Sequence, residues 1–128
     1  MQTPLASAGA LSRPVLLSYA GCSTCKKALA WLRVHGVSPQ VRAITEEPPT
    51  LAELATWIPQ SNKPVRKWLN TSGQSYRALG KAVIDAASDA ELCAMLAKDG
   101  KLVKRPVLVH DGRVLVGFDE AAYAALFA

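Results

Sequence analysis

Two cysteines separated by two residues are the part of this sequence best suited to chemistry. Cys22 and Cys25 enclose Ser23 and Thr24, between a predicted strand and a predicted helix. The first amides of a helix lack partners and its dipole is positive there, so a thiolate at Cys22 is favoured. Cys25, one turn into the helix, is placed to attack a mixed disulfide on Cys22. The spacing predicts a catalytic nucleophile and a resolving thiol, with the backbone of Ser23 and Thr24 at the substrate site.

Two lysines follow this pair directly, and two other interpretations of the pair stay open. The positive charges of Lys26 and Lys27 are predicted to stabilise the thiolate. The pair could instead be half of a zinc site, which needs two more ligands, or two inert buried thiols. The other candidate ligands are scattered along the chain, at His35, Cys93 and His110. We therefore expect no bound metal, and we assign Cys93 to the core.

An arginine and a proline precede the third predicted strand. A proline at the first position of a strand costs no ladder hydrogen bond, and Pro106 could be cis. Arg105 beside such a turn could hold an anionic substrate through a forked contact, or it could be an exposed arginine before an edge proline. The sequence leaves the isomer and the role open. Arg105 is a candidate catalytic residue, and Pro106 is a candidate part of the substrate-site backbone.

The positive charge is concentrated in one segment. The chain has 128 residues and a net charge of +5. Residues 61–81 carry five basic side chains and no acidic one. Such a segment attracts anions, unless it is simply a solvated helix face. It has no clear helix-turn-helix or aromatic stacking pattern, so we expect no direct specific DNA binding.

The cysteine count indicates the compartment. Three cysteines cannot all pair within one chain, which argues against a secreted disulfide framework and for the cytoplasm. No apolar run approaches the roughly 20 residues of a membrane span, so we expect no membrane partner. Residues 1–13 are predicted to form a flexible tail, and residues 14–128 a single domain.

The elements that would position these residues come in a definite order. The patterns predict a strand at 14–19, a helix at 26–34 that stops near Gly36, and a strand at 41–44. This order implies a parallel strand pair with a right-handed crossover. The class is therefore α/β.

A helical block at about 48–98 interrupts the strands. Capping boxes predict a helix that Thr50 caps, that runs through Trp57 and that Pro59 ends, and a second helix from Ser88 to residue 98. Further helices are predicted at 62–69 and 81–87, with a loop at 70–73. After the block, Asp111-Gly112 between two β-branched runs predicts a hairpin, and residues 118–127 a closing helix.

Several segments together resemble the arsenate reductase-related family, which includes glutaredoxin-coupled arsenate reductases, YffB-like proteins and Spx transcription regulators. The resemblance covers about residues 14–127. It implies a thioredoxin-like fold, with a mixed four-stranded sheet and an inserted helical block. The segments that carry it are 19–28, 70–73, 76–80, 101–109 and 116–118.

The resemblance also implies roles for single residues. Cys22 matches the nucleophilic cysteine, and Arg105 matches an arginine that binds the oxyanion. The arsenate reductases usually have one cysteine at this motif and two further arginines, whereas this chain has Cys25, with Asn70 and Phe118 at those arginine positions. Asn70 is therefore a candidate anion-binding residue.

Two functions follow from the sequence. The first is a thiol–disulfide oxidoreductase resembling arsenate reductase, acting on an oxyanion or a glutathione mixed disulfide. It needs no bound cofactor and takes electrons from glutathione, glutaredoxin or thioredoxin. The alternative is a redox-sensing regulator similar to Spx, which binds the C-terminal domain of the RNA polymerase α-subunit. We expect the first, although the two-cysteine motif is closer to Spx.

Overall fold

The computed structural model describes residues 13–128. The predicted tail falls on residues 1–12, outside the described residues, and on Arg13. The Arg13 guanidinium donates to the carbonyl oxygens of Ser38 at 3.1 Å and Pro39 at 3.0 Å. These bonds hold Arg13 to the loop that precedes the second strand.

Four short strands form one mixed sheet, as the sequence predicts. They lie in the order β2-β1-β3-β4, with β1 parallel to β2 and the other neighbours antiparallel. The strands are β1 (Val15–Ser18), β2 (Gln40–Ala43), β3 (Val107–His110) and β4 (Arg113–Val116). Successive β1 side chains point to opposite faces, so Leu16 and Leu17 enter two different apolar clusters.

Helix α1 (Ser23–Val34) connects β1 to β2 and carries the cysteine pair. It starts before the predicted residue 26, because the extended Cys22 caps it. It ends as expected, with Gly36 in the left-handed region at φ 75°. Ala28 and Leu32 are buried on one face of the sheet.

The helical block lies between β2 and β3 and covers the opposite face of the sheet. Its Leu54, Trp68 and Leu92 are fully buried and share a cluster with Leu17 and Val107 of the strands. Its elements are α2 (Leu51–Ser61), a 3-10 turn (Val65–Trp68), α3 (Gln74–Leu79), α4 (Lys81–Ala86), α5 (Asp89–Lys98) and a second 3-10 turn (Gly100–Leu102).

The prediction that Pro59 ends α2 is wrong. The helix runs to Ser61 and stops at Asn62, whose φ of 57° is left-handed. The buried Ser61 hydroxyl donates to the Ile58 carbonyl at 2.7 Å and accepts from Trp68 Nε1 at 3.1 Å. These contacts hold the last turn, although Pro59 supplies no amide hydrogen bond.

Two other helix predictions in the block need correction. Residues 62–69 form only the short 3-10 turn, which Pro64 precedes in an extended conformation. Helix α3 was not predicted. It has only six residues and none of them is fully buried, so its apolar pattern is too short to indicate a helix.

The last part of the chain forms the predicted hairpin and closing helix. Asp111 and Gly112 join β3 to β4, both with positive φ (51° and 75°), as a primed two-residue turn requires. Helix α6 (Glu120–Leu126) starts after Asp119, whose carboxylate accepts from the Ala121 amide at 3.0 Å. The helix therefore begins two residues later than the predicted residue 118. It buries Tyr123 on the same face as α1.

Candidate active site

The chain turns directly from the end of β1 into α1, and this turn places Cys22 at the N-cap position of the helix. The Cys22 amide donates to the Tyr19 carbonyl at 3.0 Å, and the Cys25 amide donates to Cys22 Sγ at 3.3 Å. The sulfur thus takes the position that a capping oxygen usually occupies. A helix-start amide that would otherwise be unpaired now points at the sulfur.

The surroundings of Cys22 lower the pKa of its thiol below the ordinary value. Partial burial acts to raise this pKa. It is outweighed by hydrogen bonds from the Cys25 thiol and the Cys25 amide, and by the hydrogen bond and charge of Arg105. The half-buried Cys22 therefore has more thiolate at neutral pH than an ordinary cysteine and stays accessible.

Cys25 has the opposite properties. It is only 1% exposed. Burial raises the pKa of its thiol, and so does the hydrogen bond that this thiol makes with Cys22. Both cysteines are free thiols in the structure. An accessible thiolate in front of a buried, protonated thiol is the arrangement that a nucleophile and a resolving thiol need.

A cleft of about 520 Å³ opens in front of Cys22. Four segments meet there: the start of α1, the helical block, the residues before β3, and the connection from β4 to α6. The lining residues are Cys22, Thr24, Lys63, Asn70, Ser72, Gly73, Lys104, Arg105, Val116, Gly117, Phe118 and Asp119. The cleft is thus built from both halves of the chain around one thiol.

The cleft brings together Cys22, Thr24, Asn70 and Arg105, four of the predicted site residues. Asn70 Nδ2 donates to the Lys101 carbonyl at 3.3 Å. Its Oδ1 accepts from the Ser72 hydroxyl, also at 3.3 Å. Part of the Asn70 amide is therefore used to shape the loop at 70–73.

The other predicted site residues lie near the cleft or away from it. Pro106 is buried, and the Arg105–Pro106 peptide bond is cis. The exposed Ser23 lies in the first turn of α1, before Thr24. The exposed Lys26 and Lys27 do not line the cleft. Their effect on the Cys22 thiolate stays a prediction.

Arg105 has most of its donor capacity unused. A guanidinium carries five N–H donors. Nη1 donates to the Lys101 carbonyl at 3.4 Å, and the buried Nε has no hydrogen-bond partner among residues 13–128. The guanidinium carbon lies 4.8 Å from the centre of the Tyr19 ring. Arg105 can therefore donate to an anion in the cleft.

Two lysines that the sequence did not single out line the same cleft. Lys63 reaches it from the helical block, and Lys104 directly precedes Arg105. Asp119 is the one acidic residue of this lining, so cations outnumber carboxylates and an anion is favoured. The basic segment 61–81 was the sequence pattern that pointed to Lys63.

Other basic side chains of the segment 61–81 make contacts within the chain. Arg66 donates to the carbonyl oxygens of Ile84 at 3.1 Å and Ala87 at 2.8 Å. Lys81 pairs with Asp85 at 2.6 Å. The segment is therefore only in part an anion-attracting surface.

No metal cluster or membrane span is found in the described part of the chain. Within residues 13–128, no three His, Cys, Asp or Glu side chains are close enough to hold a metal ion. None of the helices there is both long and apolar enough to cross a bilayer. Cys93 is partly buried against the core, and burial followed by the Asp89 charge raises its pKa.

Comparisons with known proteins agree with this geometry. The sequence profile of the ArsC family matches residues 17–126. The protein YusI of Bacillus subtilis is 40% identical over 103 residues, which cover 80% of this chain and 87% of that one. More distant relatives are named global transcriptional regulator Spx, such as that of Lactiplantibacillus plantarum, which is 24% identical over 106 residues.

Solved structures have the same fold. An ArsC family related protein from Bacteroides fragilis has a TM-score of 0.85 and 41% identity, over 89% of this chain and 97% of that one. A possible arsenate reductase from Streptococcus mutans has a TM-score of 0.80 and 37% identity, over 90% and 98%. The predicted fold is confirmed: the chain belongs to the ArsC family and has a thioredoxin-like α/β fold.

Proposed function

We propose that this protein is a thiol–disulfide oxidoreductase in which Cys22 is the nucleophile and Cys25 the resolving thiol. The observation that carries this proposal is the position of Cys22 Sγ. It accepts the Cys25 amide at 3.3 Å and lines a cleft with Lys63, Lys104 and Arg105. A thiolate, a nearby second thiol and an excess of cations are the parts that reduction of an anionic substrate requires.

Arsenate is one substrate that this arrangement suits. The Cys22 thiolate forms a sulfur–arsenic bond and displaces hydroxide, which leaves as water after protonation. Cys25 then loses its proton and attacks the Cys22 sulfur, so that the sulfur–arsenic electron pair stays on arsenic. Arsenic goes from As(V) to As(III), and the two thiols become one disulfide.

A glutathione mixed disulfide is the other substrate. The Cys22 thiolate attacks the glutathione sulfur and expels the other thiolate. Cys25 then attacks the Cys22 sulfur and releases glutathione. A cleft of about 520 Å³ is in the range of sites for organic ligands, so this substrate would fill more of it than arsenate.

Both routes end in a Cys22–Cys25 disulfide that must be reduced again. Glutathione, glutaredoxin or thioredoxin would supply the two electrons by thiol–disulfide exchange. These donors are abundant in the cytoplasm, where we place the reaction. The free state of both thiols in the structure corresponds to the reduced form of this cycle.

The test is turnover of arsenate and of a glutathionylated peptide, with thioredoxin and glutaredoxin supplied separately. Cys22→Ser should abolish turnover. Cys25→Ser should abolish the cycle with thioredoxin, and Cys93→Ser is the matched control that should keep it. Loss only with Cys22→Ser would mean that an external thiol resolves the intermediate. A wild-type protein that turns over neither arsenate nor the glutathionylated peptide would refute the proposal.

A second candidate is a redox-sensing regulator similar to Spx. It is favoured by the Cys22–Cys25 pair together with the relatives that are named Spx. In that case oxidation of the pair would change a protein contact, and the partner would be the C-terminal domain of the RNA polymerase α-subunit. Binding would be measured by pull-down under reducing and oxidising conditions. The Cys22→Ser variant, which cannot form the disulfide, should not respond to oxidation, and absence of binding in both states would exclude this function.

A further inference from the structure

The ring of Tyr19 lies next to the guanidinium of Arg105, a residue that lines the cleft. The guanidinium carbon is 4.8 Å from the ring centre, within the range of a cation–π contact. Tyr19 is 37% exposed, so the residue is not held in place as part of the core. The contact therefore calls for an explanation other than packing of the interior.

Arg105 has few other contacts that fix its side chain. The hydrogen bond that Nη1 donates to the Lys101 carbonyl is long at 3.4 Å, and Nε has no partner in the part of the chain that is described. Arg42 is a useful contrast, because its guanidinium makes two hydrogen bonds of 2.8 Å to Glu53. Besides Cys22 and the long bond to Lys101, the aromatic face of Tyr19 is the contact that lies against the Arg105 guanidinium.

The same tyrosine also belongs to the turn that holds Cys22. The Tyr19 carbonyl accepts the Cys22 amide at 3.0 Å, and only two residues separate Tyr19 from Cys22 in the chain. Gly21 lies within this turn. A Cβ at Gly21 would be 3.0 Å from Tyr19 Cε2, so the absence of a side chain there lets the ring lie close to the turn.

We propose that the Tyr19 ring holds the Arg105 guanidinium beside Cys22, which makes Tyr19 a positioning residue for the reactive thiol. The purpose of this contact rests on the proposed function. Its physical consequence does not, because a cation held near Cys22 increases the fraction of thiolate whether or not a substrate is present.

Other charged and titratable groups also line the cleft with Cys22. They are Lys63 from the helical block, Lys104 and Asp119, in addition to the adjacent Cys25. Substitution of Tyr19 leaves all of them in place. Loss of the ring should therefore lower the fraction of Cys22 that is thiolate, but it should not abolish the thiolate.

The first experiment measures the rate of Cys22 alkylation by iodoacetamide against pH, by mass spectrometry of the Cys22 peptide. In Tyr19→Leu we expect this rate at pH 7 to fall about threefold and the midpoint of the titration to move to higher pH. Tyr19→Met carries the same expectation as a second non-aromatic variant. Tyr19→Phe keeps the ring face and should keep the wild-type profile.

The second experiment tests whether Tyr19 acts through Arg105. In an Arg105→Leu background, Tyr19→Leu should have no further effect on alkylation of Cys22. Trp57→Leu is a matched control, because the Trp57 ring lies 5.7 Å from the guanidinium carbon of Arg42 and lines no part of the cleft. That variant should keep the wild-type profile, with circular dichroism to confirm that each variant is folded.

Two results would overturn the inference. One is a wild-type alkylation profile in both folded non-aromatic Tyr19 variants. The other is a Tyr19→Leu effect that persists in full without Arg105. The proposed function fails in a different way: a wild type that turns over neither arsenate nor a mixed disulfide would refute it, and the alkylation results on Tyr19 would still stand.

Discussion

At the scale of single residues, one hydrogen bond acts on two thiols in opposite directions. Burial raises the pKa of both Cys22 and Cys25. The hydrogen bond between the thiols lowers the pKa of Cys22, because it stabilises that thiolate, and raises the pKa of Cys25, because it holds the proton there. Two chemically identical side chains thereby differ, with the thiolate favoured at Cys22 and the proton held at Cys25.

This division can be tested with Cys25→Ala. The variant removes the thiol donor but keeps the amide that points at Cys22 Sγ. We expect the pKa of Cys22 to rise, so alkylation of Cys22 by iodoacetamide at pH 7 should slow about three- to tenfold. Cys93→Ala should leave the rate unchanged. An equal or faster rate in Cys25→Ala would contradict the role of the thiol hydrogen bond.

A second residue-scale prediction concerns Tyr123, which is fully buried. Its hydroxyl has no hydrogen-bond partner within residues 13–128, and burial followed by the nearby Cys25 raises its pKa far above the usual range. An unpaired buried hydroxyl is costly, so Tyr123→Phe should stabilise the protein by about 1 kcal/mol in urea unfolding. Tyr76→Phe, at a half-buried tyrosine, should have little effect. A loss of stability in Tyr123→Phe would show that the hydroxyl has a favourable contact.

The site residues that could be predicted are those with a local pattern. Cys22 and Cys25 are recognisable because the chemistry depends on their spacing, and Arg105 because a proline follows it. Lys63 and Tyr19 could not be assigned in this way. Lys63 reaches the cleft because the helical block folds against Cys22, and the role proposed for Tyr19 depends on the distant Arg105 lying against its ring. Tertiary packing decides both contacts.

At the scale of elements, one arginine connects the sheet to the helical block. Arg42 of β2 donates to both carboxylate oxygens of Glu53 in α2, each at 2.8 Å. Glu53 also closes the capping box with Thr50. The Arg42 hydrogen bond lowers the pKa of Glu53 despite partial burial. The start of α2 is thus attached to the sheet by a paired carboxylate.

Glu53→Gln should therefore destabilise the fold by about 1–2 kcal/mol at pH 7. The Glu53 pKa is lower in the folded than in the unfolded chain, so its contribution is complete above about pH 5 and is lost as the pH falls through the lowered value. Urea unfolding of the wild type should show this loss, and the variant should show less of it. Glu91→Gln is the control, because Glu91 makes the same capping box with Ser88 but no ion pair in the described chain. If Glu53→Gln and Glu91→Gln lose the same amount of stability, the ion pair with Arg42 makes no contribution.

Element boundaries could be predicted where a side chain defines them and not where packing does. The capping boxes at Thr50 and Ser88 mark helix starts because the side chain itself bonds the backbone. Pro59 indicated the end of α2, but the helix continues to Ser61, which is buried. The six-residue α3 is too short to show a clear apolar period.

At the scale of the whole molecule, the attraction of an anion to Cys22 should depend more on where the basic side chains lie than on the net charge of the chain. The chain carries +5, and the segment 61–81 contains five basic residues. Among these five, Lys63 is the one that lines the cleft, where Lys104 and Arg105 join it. The electrostatic attraction that a substrate meets at Cys22 should depend on these few side chains, because exposed charges farther away are screened by salt.

This can be measured without knowledge of the substrate, by comparison of two reagents that alkylate Cys22 by the same reaction. Iodoacetate is an anion and iodoacetamide is neutral, so the ratio of their rates does not depend on the fraction of thiolate. We expect Lys63→Gln and Lys104→Gln each to lower this ratio about twofold, because each removes one cation from the cleft. Added salt should lower the wild-type ratio in the same direction, since the Debye length falls to about 3 Å at 1 M.

Lys67→Gln removes an equal charge from the same segment, at an exposed position outside the cleft, and should leave the ratio unchanged. If Lys67→Gln lowers the ratio as much as Lys63→Gln, the attraction comes from the net charge of the molecule and the cleft is not a specific anion site.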